Sequence, residues 1–218
     1  MLKNYFKIAF RNLSKNKTNS FINIFGLAVG MAVFFLIMVY CVNELSYNHF
    51  YPNYERIYQV SIGDEFYTPV PLGTMIKNNI PDFEKIVRID YAMGGGKSAV
   101  IETFYNGIRK NNNVKDVVFA DSTLLDMFNL PVIYGDPAAA LKEPYSLILT
   151  RTTALNLYGS ENVVGQTIHY TGDNGLPMDM TITAIVEDFP SNSTLSFNAA
   201  GSLSSLYSFA QKYGYKID

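Results

Sequence analysis

The 218-residue chain has one cysteine, two histidines, no tryptophan, and no carboxylate before Glu44. Each shortage removes a class of chemistry. With Cys41 alone, no disulfide can form within the chain, and cysteine usage says nothing of redox compartment. Cys41 itself reads as a buried apolar filler. His49 and His169 lie far apart in sequence, and neither sits in H-E-x-x-H or another metal-ligand spacing, so both read as surface or packing residues. Ser146 and Ser193 lack the G-x-S-x-G turn of a hydrolase nucleophile. No catalytic, cofactor-binding or metal-binding constellation remains, and the chain is expected not to be an enzyme. The aromatics that are present, 16 Tyr and 15 Phe, read first as core material.

The missing acids are confined to one end. Residues 1–43 carry five basic residues, Lys3, Lys7, Arg11, Lys15 and Lys17, against a formal net charge of −2 for the whole chain. The remainder is therefore mildly acidic. A surface that neutralises phosphates is not available there, which argues against a nucleic-acid partner.

From Phe21 to Val42 the sequence runs for 22 residues without a charge. As a helix this stretch rises about 33 Å, enough to cross the hydrocarbon core of a bilayer. A cleaved signal has a shorter apolar region ending in small residues, and a lipoprotein site at Cys41 would need a small residue where Tyr40 stands. The reading is a transmembrane helix over 21–42, with the N-terminus cytoplasmic, because Lys and Arg close to a span stay inside. Before it, Leu2, Tyr5, Phe6, Ala9, Phe10 and Leu13 recur at helical spacing while Lys3, Lys7 and Arg11 line another face. This pattern predicts an amphipathic helix over 1–20 that lies on the membrane, its cations over anionic headgroups. Within the span, Gly26 and Gly30 form G-x-x-x-G, a groove for a second helix.

Residues 43–218 are long enough for a packed core. Strands are predicted at "RIYQVSI", "KIVRIDYAM", "KSAVIETFYNG", "VKDVVFAD", "LPVIY", "YSLILT" and "MDMTITAIVEDF". Short helices are predicted between Pro71 and Pro81, from an Asp121 or Ser122 cap to Phe128, and from Thr150 to Gly159. In the last strand Met178, Met180, Ile182, Ala184 and Val186 alternate with Asp179, Thr181 and Thr183, marking one buried face. The fold class is α+β: an N-terminal transmembrane helix, then a mixed domain of short helices and antiparallel strands with one βαβ unit. Two loops invite other readings. "TGDNGLP" lacks the spaced ligands of a calcium loop and reads as a hairpin turn. "GGGKS" lacks the first glycine of a phosphate loop, because Tyr91 occupies that place, and a strand rather than a helix should follow Ser98.

Four stretches, taken in order, resemble one family. "YFKIAFRNLSKNKTNSFINIFGLAVGMA", "ELSYNHFYPNYERIYQV", "DSTLLDMFNLPVIYGDPAAALKEPYSLILTRTTALNLYGSENVVGQTI" and "ITAIVEDFPSNSTLSF" are similar to the N-terminal part of ABC transporter permeases of the MacB/FtsX type. The resemblance implies a cytoplasmic surface helix (1–20), a first span (21–42) and an incomplete MacB-like periplasmic core domain (43–218). It also implies a bacterial inner-membrane location and a non-catalytic role: a cytoplasmic ABC ATPase subunit supplies the energy, and motion passes to the periplasmic domain for export or mechanotransmission. The partners implied are that ATPase, membrane lipids, further permease helices or a second permease copy, and periplasmic or outer-membrane components. Such permeases have at least four spans, so the sequence reads as an N-terminal fragment. The competing reading is a single-span anchored periplasmic interaction or sensor module.

Overall fold

The computed structural model describes residues 2–63, 68–69, 71–91, 98–105, 107–172 and 177–214. It divides into two compact units, Met1–Tyr47 and Asn48–Asp218.

The first unit is two helices, α1 (Leu2–Lys15) and α2 (Lys17–Leu45). Asn16 leaves helical geometry between them (φ −112°, ψ 56°), yet Asn16 N donates to Asn12 O at 3.2 Å and Ser20 N to Asn16 O at 2.9 Å. The chain therefore bends at Asn16 while its hydrogen-bond ladder continues. Helix α2 begins at Lys17, so residues 17–20 continue into the apolar helix. At 29 residues it is the one helix among the described residues long and apolar enough to cross a membrane. It buries no side chain. Cys41 is accordingly exposed among the described residues, where a buried apolar filler was expected.

The second unit opens with a 3₁₀ turn, Tyr54–Arg56, followed by α3 (Leu72–Asn79), β1 (Ile89–Asp90) and β2 (Ser98–Tyr105). Next come β3 (Ile108–Lys115), β4 (Val117–Ala120), α4 (Leu124–Phe128) and β5 (Val132–Gly135). The chain ends with β6 (Ser146–Thr150), α5 (Arg151–Tyr158), β7 (Thr167–Gly172), β8 (Pro177–Val186), β9 (Ala199–Ser202) and α6 (Leu203–Tyr213). The strands form one mixed sheet in the order β1-β4-β9-β6-β8-β7-β2-β3, with β5 on β8. Strand β8 is long enough for three neighbours: β7 pairs along Pro177–Thr181, β5 along Ala184–Val186, and β6 lies parallel to Thr181–Val186. The expected βαβ unit is thus β6-α5-β8, with β7 inserted before its return strand.

Alternation sorts the core onto two faces. Phe119, Leu147, Leu149, Tyr170, Met180 and Ile182 face α5 and α6, where Leu157, Leu206 and Phe209 meet them. Val118, Ile148, Ala184, Ala200 and Phe197 face the other way, toward Leu124 and Leu125 of α4. Strands β4, β6 and β9 are buried at every residue, so both layers close over the sheet centre.

Three local expectations are corrected. "RIYQVSI" forms no strand beyond a single bridge residue at Ile62. Its β-branched and aromatic residues fit a half-buried pleated surface, but Tyr58, Val60 and Ile62 are exposed. "VKDVVFAD" is two strands, because Asp116 takes a left-handed turn (φ 52°) that sends β3 to β2 and β4 to β1 and β9. Helix α4 is capped at Thr123 with no side-chain cap bond. Asp121 is already engaged by Arg88, and Thr123 Oγ1 donates to Ile86 O at 2.7 Å.

Candidate functional site

In the membrane-type unit, Tyr5, Phe6, Phe10 and Leu13 of α1 are exposed, as are Lys7, Arg11 and Lys15 of α1 and Lys17 at the start of α2. Of Lys3 only the backbone is described, and it belongs to α1. Exposed aromatics on one side of a helix and cations on another are the composition of a helix that rests on lipid. At the bend, Ala9, Asn12, Leu13, Asn16, Asn19, Ser20 and Asn23 line an open cleft of about 440 Å³. Further along α2, a Cβ added at Gly26 or Gly30 would meet nothing within 4 Å. Both glycines therefore leave the helix surface open to a neighbour.

The core domain holds its first residues unusually firmly. Asn48 sits in the left-handed region (φ 61°), which asparagine tolerates better than most residues. There its backbone N donates to Asn192 O at 3.0 Å. Its side-chain amide donates through Nδ2 to Thr194 Oγ1 at 2.8 Å and accepts through Oδ1 from Thr194 N at 2.9 Å. An aspartate could accept both bonds, whereas an alanine could make neither. Three residues on, Tyr51 is 4% exposed, its ring edge-on to Phe128 at 5.2 Å. Its hydroxyl lies 2.9 Å from Ser193 Oγ. Since Ser193 Oγ donates its single proton to Leu195 O, the tyrosine hydroxyl is the donor. Burial raises the Tyr51 pKa above its ordinary value.

A second tie joins distant elements. Arg88 grips Asp121 with Nε to Oδ2 and Nη2 to Oδ1, both at 2.8 Å, while its backbone N also donates to Oδ2 at 2.9 Å. Nη1 reaches Tyr207 Oη on α6 at 3.1 Å. The Arg88 pKa is raised, first by the hydrogen bonds to Asp121. Its stem fills the space beside Gly73 of α3, where a Cβ would lie 2.8 Å from Arg88 Cδ. This fork-to-fork pair joins α3, β1, the start of α4 and α6.

The remaining sequence candidates have ordinary surroundings. His49 stacks on Tyr54 at 4.3 Å, and His169 Nδ1 lies 2.7 Å from Asp179 Oδ1 on the neighbouring strand. Ser146 Oγ donates to Glu143 O. Residues 92–97 of the "GGGKS" stretch and 173–176 of "TGDNGLP" lie outside the described residues. Ser98, however, begins β2, paired with β3 and β7, whereas a phosphate loop opens a helix. Among the described residues no group of three His, Cys, Asp or Glu is placed to hold a metal ion. A second cavity of about 160 Å³ is lined by Asp116, Thr150, Asp188, Phe189, Ser196, Phe197 and Asn198. Asp188 is taken up by Thr152 N and Oγ1, and Asn198 Nδ2 by Lys115 O.

Asn48, Tyr51, Ser193 and Thr194 are the residues that sequence reasoning did not select for a role. They fall inside two of the stretches that carry the family resemblance, but their pairing across 142 to 146 positions has no trace in a single sequence.

The family model for the MacB-like periplasmic core domain matches residues 20–215. No curated protein matches the chain. Among solved structures, a domain assigned to a permease protein from Porphyromonas gingivalis is similar at 22% identity and TM-score 0.49, covering 61% of this chain and 56% of that one. The periplasmic region of MacB from Actinobacillus actinomycetemcomitans aligns at 12% identity and TM-score 0.39, over 62% of this chain and 56% of its own. The extracellular domain of the ABC-type transporter YknZ from Gram-positive bacteria aligns at 11% identity and TM-score 0.39, over 63% and 62%.

Proposed function

The chain belongs to the family of MacB-like periplasmic core domains, and from that membership we propose that it is the N-terminal part of an ABC-type permease. One observation carries the reading: the family match begins at residue 20 and runs to 215, so most of α2 (Lys17–Leu45) lies inside the family's own pattern. A foreign leader would lie outside it. In this reading α2 is the first span, and the five cations before it hold the N-terminus in the cytoplasm of a bacterial inner membrane. Residues 43–218 stand on the periplasmic side. The chain does no chemistry. A cytoplasmic ABC ATPase binds and hydrolyses ATP, further permease helices or a second copy pack against α2, and helix movement is passed to the core domain for export or mechanotransmission. Periplasmic or outer-membrane components receive it.

The presence of a single candidate span among the described residues favours the alternative, an anchored periplasmic interaction or sensor module. Two measurements separate the readings. A phosphatase fused after Asp218 is expected to be active, and Lys3→Cys in a Cys41→Ser background to react with an impermeant thiol reagent only after the inner membrane is opened. Purification of the native protein in mild detergent should bring down an ABC ATPase whose turnover changes when the permease is removed. An inactive phosphatase would overturn the orientation. Recovery of the protein with no ATPase would favour the sensor.

A further inference from the structure

From Asn48, where the chain enters the core domain, two routes run onward within that domain. The covalent route continues through residues 52–61, which lie exposed except for half-buried Ile57. Its ties are local or weak: the 3₁₀ turn at Tyr54–Arg56, and the exposed ion pair Arg56–Glu84 at 3.0 Å. Ten such residues reach at most about 35 Å when pulled straight. A tether of this kind absorbs displacement before it passes any on.

The second route leaves the chain at Asn48, three residues after α2 ends at Leu45. Asn48 and Tyr51 grip the loop at Asn192, Ser193 and Thr194 through four hydrogen bonds. That loop is short and rooted. Leu195 and Phe197 are buried, Phe189 and Phe197 meet edge-on at 4.8 Å, and Asn198 N donates to Asp116 O. The next residues form β9, held between β4 and β6 at the centre of the sheet.

We infer that Asn48 and Tyr51, with Ser193 and Thr194, form a latch that carries displacement of the membrane helix into β9, bypassing the slack of residues 52–61. The inference rests on the permease reading for its purpose, but the mechanical claim stands apart from ATP. The left-handed Asn48 makes the clean perturbation available. Asn48→Gly relieves the backbone conformation while deleting the side-chain ties, and Thr194→Val removes their partner hydroxyl. Asn48→Asp keeps two acceptors facing Thr194 N and Oγ1, so it is the conservative control.

The test pulls on the full chain in nanodiscs of phosphatidylethanolamine and phosphatidylglycerol, with a handle on Lys142→Cys in a Cys41→Ser background. Force then enters the domain through residues 46–48. The wild type should show a discrete step of up to about 35 Å, the release of the shielded segment, before the domain unfolds. Asn48→Gly/Thr194→Val, which leaves the Asn48 N–Asn192 O and Tyr51–Ser193 bonds in place, should shift the step to clearly lower force. Asn48→Asp should retain it, and Tyr51→Phe should lower the force at which it occurs. A wild-type trace without the step, or a double variant with an unchanged trace, overturns the latch. A second arm follows hydrogen exchange of β9 in the native permease–ATPase assembly on adding Mg-ATP. If exchange does not respond in the wild type while the force step stands, the ATP-driven permease reading fails and the latch survives. If exchange responds equally in wild type and double variant, the latch is overturned and the permease reading survives.

Discussion

Replacing Gly201 with alanine would place a methyl group inside the most crowded part of the sheet. Gly201 lies opposite Phe119 of β4 and Leu147 of β6, and an added Cβ would stand 2.6 Å from Phe119 Cε1, 2.8 Å from Cδ1 and 3.0 Å from Met180 Cε. The Met180 methyl is the far end of a flexible chain and can turn away. Phe119 cannot do so cheaply, since it is 0% exposed and its ring meets Tyr170 edge-on at 5.6 Å. Overpacking of this kind costs about 1–3 kcal/mol, and a clash with a walled-in ring belongs in the upper half of that range. For a domain of this size each kcal/mol moves Tm by about 2–4 °C, so Gly201→Ala should lower Tm by roughly 5–10 °C. The measurement is thermal unfolding in mild detergent, followed by the near-ultraviolet tyrosine signal, to which α2 contributes only Tyr40. Phe119→Leu trims the ring atoms that collide, so the double variant should lose at least about 1 kcal/mol less than the sum of the single losses. A Gly201→Ala melting point within about 1 °C of wild type, or simple additivity, refutes the steric argument.

Gly26→Leu/Gly30→Leu should weaken assembly of the permease by about 1–2 kcal/mol through the lost groove without impairing insertion, measured against a Val33→Leu/Val39→Leu control; equal assembly of the two would show the glycines to be ordinary span composition. A peptide of residues 1–20 should bind phosphatidylglycerol vesicles, losing about 1 kcal/mol for each of Lys3, Lys7, Arg11, Lys15 and Lys17 replaced by glutamine, and the differences should shrink in high salt; binding indifferent to charge would remove the headgroup contact. Burial pushes the Tyr158 pKa from 10.0 up to about 12. Because the folded pKa is the higher one, this contribution is fully present below pH 10 and is lost as pH rises toward 12, by about 1–2 kcal/mol after allowance for partial solvent screening. Tyr158→Phe should flatten that part of the stability profile relative to wild type, and an unchanged slope would count against it.

The parts of the fold that could be read from the sequence are those whose cause is local. The apolar run of α2 and the alternation of Met178, Met180 and Ile182 in β8 each carry their period within one element. So does the strand "YSLILT", which passes at Thr150 into a helix closed by left-handed Gly159. Strand β3 could not be read before Val114, because Asn111, Asn112 and Asn113 have poor β propensity. They are strand because β2 offers a partner at each position, Glu102, Ile101 and Val100. An edge strand built of asparagine, arginine and lysine also resists pairing with another chain, which explains why its composition looks like a loop. Strand β9 is the same problem in reverse. "AAGS" has no propensity to announce it, and small residues are what the slot between β4 and β6 admits.

The candidate site divides along the same line. The cations of α1 and the glycines of α2 were visible because each set repeats along one helix, and a helix surface is a local object. Asn48 looked like any polar residue after a span, and Ser193 like a serine without a nucleophile motif. What makes them a junction is that β9 must enter the sheet between β4 and β6, which carries the loop before it to the place where the chain enters the domain. The hydrogen bonds then form because an amide in left-handed geometry can donate to and accept from one threonine. Their separation in sequence has a mechanical consequence. A tie between near neighbours would stiffen only its own turn, whereas a tie across 146 positions makes the first residues of the domain and its central strand move as one body.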